Sequence, residues 1–160
     1  MTVVVLPDSS ASESATSLTP QVDTATLTKI NDLLDTITSE FVTAKAINPA
    51  FEPVHLSFKV AFHSGHPYAS YREILRQEIQ AHLAPWASNS QTPADFGGHL
   101  YRSALIAYID SLPYVDYLTD FQLFHLAHGE TSAQSVQFAT PSKPGAILTP
   151  TGTHLISPAS

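Results

Sequence analysis

The sequence contains no cysteine. That excludes disulfides, thiolate nucleophiles and cysteine-ligated metals, and it fits synthesis in the cytoplasm. Charge is also scarce. Asp, Glu, Lys and Arg together make up 13% of the chain, about half the usual share of roughly 25%. Only 7 of the 160 residues are Lys or Arg, against 14 Asp and Glu, which leaves a formal net charge of −7. With no basic cluster to displace counterions from phosphates, nucleic-acid binding is not expected. No apolar run approaches the roughly 20 residues needed to cross a bilayer, so no direct membrane contact is expected. The opening MTVVVLPDSS has neither a basic start nor an apolar stretch long enough for a secretory signal.

What is present suffices for a core: 43% of the residues are hydrophobic, in a length that suits one domain better than two. A surface made polar by Ser, Thr, Gln and Asn, with few charges, suits a subunit that lies against neighbours.

Residues 2–6 (TVVVL) read as a short buried strand closed by Pro7-Asp8. A core strand this early suggests that the chain is the tail end of something longer. Residues 8–20 are rich in Ser, Thr and Ala and read as a flexible loop. Asp23 or Thr24 then caps a predicted helix over 23–38, whose apolar positions Leu27, Ile30, Leu33, Leu34 and Ile37 recur three and four apart. Asn48-Pro49 marks a turn. From Pro53 to Phe62 the chain alternates, with Val54, Leu56, Phe58, Val60 and Phe62 on one face.

A second helix is predicted over 68–84 and stops at Pro85. A loop through Gly97-Gly98, read as a turn needing positive φ, leads to a third helix over 99–112. Residues 114–126 return as a strand, and 146–149 with 154–157 read as a small terminal hairpin around Pro150-Thr-Gly152. The expected fold is α+β: the three helices on one face of a mostly antiparallel sheet, with a C-terminal hairpin. Residues 1–128 are expected to form the domain and 129–160 a loosely structured tail carrying the hairpin.

No catalytic constellation assembles. His63 with His66, and His125 with His128, have ligand-like spacing, but zinc sites usually recruit at least three protein ligands and no third accompanies either pair. Glu78 and His82 stand four apart on the second helix without an H-E-x-x-H order. Asp95, Asp110, Asp116 and Asp120 are the available carboxylates, with Asp95 read as capping the loop before the third helix. No serine sits in a G-x-S-x-G elbow, and Phe96-Gly97-Gly98 lacks the Lys of a phosphate loop. No metal or cofactor is expected. The rival reading is a small metal-dependent hydrolase built on these His and Asp residues.

One ordered series of motifs points elsewhere. Asn48-Pro49-x-Phe51-Glu52-Pro53-Val54, Leu83-Ala-Pro-Trp86, Phe96-Gly97-Gly98-x-Leu100-Tyr101-x-Ser103 and Tyr114-Val-Asp-Tyr-Leu-Thr-Asp-Phe121 together resemble the C-terminal region of baseplate J-like proteins. These are the wedge subunits of contractile phage tails and of related bacterial contractile injection systems, and the resemblance is nearest to Bacteroidetes-type injection systems. It spans Thr2 to about His125. Family members are usually several times longer, and the N-terminal wedge region is missing here.

The resemblance implies a structural role in a baseplate without catalysis. Its partners would be other wedge subunits, including a second J-like copy, after assembly in the cytoplasm. Within the last strand the odd set, Val115, Tyr117, Thr119 and Phe121, is expected to face the helices. Tyr114, Asp116, Leu118 and Asp120 are expected outward as interface residues. Trp86, the only Trp, is expected to be buried or at a contact, behind the helix-ending Pro85.

Overall fold

The computed structural model describes residues 1–8, 17–88 and 96–160, so Asp95 and most of the predicted loop over 8–20 lie outside the described residues. In chain order the elements are β1 (Thr2–Val4), α1 (Thr24–Ile37), β2 (Lys45–Ile47), β3 (Ala50–Phe62), α2 (Tyr68–Leu83), α3 (Pro85–Ser88) and β4 (Leu100–Tyr101). They continue with α4 (Arg102–Asp110), β5 (Val115–His125), β6 (Gln134–Val136), β7 (Phe138–Ala139), β8 (Ala146–Pro150) and β9 (Leu155–Pro158). The fold is α+β.

Strand β3 organises the molecule. It pairs antiparallel with β5 on one side and parallel with β8 and then β9 on the other, while β6 pairs antiparallel with the far end of β5. Its alternation is as expected: Val54, Leu56, Phe58 and Val60 are all buried and form the centre of the core. Burying each such side chain contributes about 1.5–3 kcal/mol relative to exposure. Leu75, Ile79 and Leu83 of α2, with Leu105 and Ile109 of α4, pack on that row.

Helix α1 departs from the expected layer. Asp23 caps it, accepting the Thr26 N–H at 2.9 Å, but no residue of α1 is fully buried. It lies beside β2, where Asn31 Oδ1 accepts the Ala46 N–H at 2.7 Å. It packs on β2 of the small parallel β1–β2 pair, while α2 and α4 supply the helices packed into the core cluster. Leu33 and Ile37 stay 59% and 67% exposed. Strand β1 is only half-buried. Asn48 explains its own motif: its side chain accepts the Val22 N–H at 2.8 Å and donates to the Val22 carbonyl at 2.9 Å, pinning the approach to α1.

The expected terminal hairpin is replaced by a different pairing. Neither β8 nor β9 pairs with the other; both run parallel to β3, one after the other, as a strap along its free edge. The sheet is consequently mixed. Between them, where β3 has no strand beside Leu56, the His154 ring fills in and Nδ1 accepts the Leu56 N–H at 3.2 Å. Burial holds that imidazole neutral by lowering its pKa to about 4, with His55 and Arg76 adding repulsion.

The predicted third helix also begins later. Leu100 and Tyr101 pair with Ala139 and Phe138 before α4 starts at Arg102.

Candidate assembly surface

Strand β5 carries the residues expected to meet partners, and its register decides where they point. Lys59 pairs with Thr119 and Ser57 with Gln122, so two residues, Asp120 and Phe121, oppose the single Phe58. A second irregularity between Ala61 and Phe62 leaves Asp116 as the extra residue. Each bulge shifts the pleat by one. The face toward the helices is therefore Val115, Leu118, Phe121, Leu123 and His125, and simple alternation fails. Tyr117 and Thr119, expected inward, are exposed.

Leu118, expected outward, packs against the core. Tyr114, just before β5, is buried among Phe62 and Tyr71, and its hydroxyl donates to the Glu78 carboxylate. Burial first, and that carboxylate second, push its pKa far up.

Asp116 and Asp120 do face solvent. Asp120 sits at φ 53, a left-handed conformation unusual outside glycine, and its carboxylate meets Lys59 Nζ at 2.9 Å. Asp116 Oδ1 lies 3.6 Å from His63 Nδ1. Two bulges, each carrying a carboxylate, are a recognised way to blunt a sheet edge against uncontrolled strand addition.

Around the Asp120 bulge lies an open groove of about 460 Å³, bordered by Lys59, Arg102, Gln122, Gln137 and Ser157. Arg102 donates to the Gln137 side chain at 3.2 Å. On β4 and β7, Tyr101 and Phe138 form an outward cross-strand pair with ring centroids 6.3 Å apart. They are 53% and 57% exposed.

Trp86 lies inside. Pro85 starts the short α3, and Trp86 packs with Ala84 and Ile147, bordered by Leu6, Leu18 and Phe51. Gly97 adopts φ 79, as a reversing turn requires; Gly98 stays outside the positive-φ region.

The chemical candidates scatter. His66 Nδ1 contacts the His63 carbonyl at 3.1 Å and its ring meets Tyr71 edge-on. His82 stacks on Tyr108 with centroids 3.8 Å apart, while Glu78 turns to Tyr114. His125 pairs with a carboxylate absent from the expectations. Glu52 is buried on β3, and its Oε2 lies 2.7 Å from His125 Nε2. An ionised carboxylate only accepts, so the imidazole nitrogen donates. The Ser142 backbone N–H donates to the two oxygens of Glu52 at 3.0 and 3.1 Å, and its hydroxyl adds another bond.

Burial alone would raise the Glu52 pKa, but the bonds from Ser142 and His125 outweigh it and hold it below the usual carboxylate value. A signal for this residue did exist: Glu52 continues the inward parity of Val54 and Leu56, where a carboxylate requires partners. Among the described residues, no three or more His, Cys, Asp or Glu side chains gather closely enough to hold a metal ion. None of the described helices is long and apolar enough to cross a membrane.

The domain is thus a mixed sheet with a buried Glu52 clasp, two bulges on β5 and exposed aromatics. The family described as baseplate protein PVC11-like matches residues 1–141; the chain belongs to that family and is a baseplate protein. Such membership implies a structural role. No curated protein matches the chain. Among solved structures it is similar to a chain of the anti-feeding prophage (AFP) baseplate, determined by cryo-EM with 6-fold symmetrisation. The TM-score is 0.67 at 19% sequence identity. That similarity covers 93% of the present chain and 29% of the other, so the chain spans under a third of the length of the structure it matches.

Proposed function

We propose that the chain is the assembly domain of a wedge subunit in the baseplate of a contractile injection system, similar to the C-terminal region of baseplate J-like proteins. It acts through protein contacts and catalyses nothing. Membership of the baseplate family over residues 1–141 carries this reading, and the shared fold with an AFP baseplate chain supports it. Its partners are other wedge subunits, including a second J-like copy, met in the cytoplasm before the finished particle forms. Asp116 and Asp120 form the polar rim of the contact surface, while Tyr114 and Leu118 anchor β5 beneath it; Trp86 closes a separate cluster with Ile147.

The test is deletion of the gene in the producing strain, followed by electron microscopy of purified particles and mass spectrometry of their baseplates. We expect the chain at a fixed ratio to other baseplate proteins in wild-type particles, and no complete baseplates in the deletion. Intact, contractile particles formed without the chain would refute the proposal.

A further inference from the structure

Among the described residues, β1 and β2 form a sheet of two strands. A two-stranded sheet is marginal in water, and parallel strands are usually covered on both faces. One edge of this pair is closed, because Asn31 of α1 accepts the Ala46 N–H. The other edge is open. The Lys45 N–H donates to the Met1 carbonyl at 3.0 Å, and the Val5 N–H donates to the Ile47 carbonyl at 2.9 Å. The odd residues of β1 therefore turn their backbone groups toward β2, and Thr2 and Val4 turn theirs away from it.

Other strands guard their edges. Strand β5 carries two bulges, and β8 and β9 end at Pro150 and Pro158. Thr2–Val4 has no charge, no Pro and no register shift, so β1 lacks those devices against strand addition. It also starts beside apolar surface. The Met1 amine donates to the Thr43 carbonyl at 2.5 Å, which brings Met1 next to Phe41 and Val42, and all three side chains are exposed.

We infer that β1 pairs antiparallel with β1 of a second copy of this chain, across a two-fold axis at Val3. The open backbone row selects an extended segment, and β1 is itself an uncharged extended segment with the same open row. A two-fold axis matches it to itself: Thr2 faces Val4 of the second copy and Val3 faces Val3, so the open N–H and C=O groups of Thr2 and Val4 all find partners. Leu6 sets the register. It leaves the strand for the cluster around Trp86, which rules out a longer overlap. The product is a four-stranded sheet in the order β2–β1–β1–β2, large enough to be stable where two strands are marginal. The inference rests on the baseplate reading above and adds to it the contact that holds the second copy.

The chain has no cysteine, so an introduced one reports the register. At Val3 the two copies form a non-hydrogen-bonded pair with Cα atoms about 4.5 Å apart, within the span a disulfide bridges. At Val4 the two identical residues stand about 8 Å apart, beyond that span. Val3→Cys and Val4→Cys are made in the full chain, expressed alone and with the other proteins of its baseplate, and oxidised mildly. Non-reducing electrophoresis should show a dimer for Val3→Cys and a monomer for Val4→Cys. Val4→Pro removes an N–H that faces the second copy and spares the ladder to β2, as Pro on an edge strand does. It takes two hydrogen bonds from the dimer, so the dissociation constant measured by analytical ultracentrifugation should rise about tenfold. Thr2→Pro does the same from an exposed position, and a thermal melt of each variant reports folding.

Val3→Cys that stays monomeric in both settings, or cross-links no better than Val4→Cys, overturns the pairing. So does a dimer that both folded Pro variants leave intact. The photoreactive residue p-benzoylphenylalanine in place of Thr2 reports other occupants: a product formed only with a different baseplate protein, or only within one copy, overturns the choice of a second copy. A Val3→Cys dimer from a chain that is absent from the particles leaves the pairing standing and overturns the baseplate reading.

Discussion

Replacing Glu52 by Gln tests whether a buried charge ties β5 and the segment before β8 to β3. Gln keeps the shape of the side chain and removes its charge. In the native protein the carboxylate accepts from His125 Nε2 at 2.7 Å and from the Ser142 backbone and hydroxyl. Each hydrogen bond to a charged group contributes about 1.5–3 kcal/mol, and breaking a buried charged pair costs about 3–5 kcal/mol. Gln retains some of these bonds, so a loss of about 3 kcal/mol at pH 7 is expected. For a domain of this size that corresponds to a fall in Tm of about 6–12 °C, read by circular dichroism.

The pH dependence gives the sharper test. The folded pKa of Glu52 lies below its unfolded value of 4.5, so the unfolded chain binds the proton more readily. The stability from this group is fully present above pH 4.5 and is lost as pH falls through the folded pKa. The gap between wild type and Glu52→Gln should therefore narrow steadily below pH 4.5. An equal gap at pH 7 and at the acid end of the titration would refute the charge argument and leave only a packing effect.

Two further outcomes are expected. Trp86→Ala empties the cluster shared with Ile147 and Phe51 and should cost about 3–5 kcal/mol; a chemical denaturation midpoint within error of wild type would contradict the burial described. Asp120→Val places a β-branched residue at φ 53 and should destabilise by about 1–3 kcal/mol. Asp120→Gly should sit within about 1 kcal/mol of wild type, since the exposed Lys59 pair it gives up is worth at most that much; equal losses for the two variants would exclude backbone strain as the cause.

How much of this was legible in the sequence depends on the kind of signal each element carries. Strand β3 was readable because its alternation runs unbroken from Val54 to Val60. Helix α2 was equally plain, from its apolar spacing and the Pro that follows. Strand β5 was located correctly, but its faces were not, because two bulges move the inward set to Val115, Leu118 and Phe121 and no local residue announces them. The partners of β8 and β9 were hidden for another reason. A Pro-Thr-Gly sequence between two short apolar runs favours a hairpin locally, and only the free edge of β3, about 95–100 residues earlier in the chain, offers the competing parallel pairing.

Helix α1 showed its stripe but not what the stripe would meet. Of the candidate surface, Asp116 and Asp120 were legible as exposed carboxylates. The groove at Arg102 was not, since it forms only when α4 and the segment around Gln137 meet beside β3 and β5.

The strap along β3 has a counting rule built into it. Ala50 stands opposite Ala146, yet Ser57 stands opposite Leu155, so the strap carries two residues more than the strand it follows. Two residues are one full pleat period, and the excess therefore returns the strap in phase: Leu148 and Ile156 both enter the core cluster while Leu155 remains in solvent. Insertions or deletions between Thr151 and Thr153 are thus filtered by parity. An even change lengthens or shortens the excursion and keeps Ile156 inward, whereas an odd one exchanges Ile156 with Leu155 and withdraws the His154 ring from the Leu56 N–H it now satisfies.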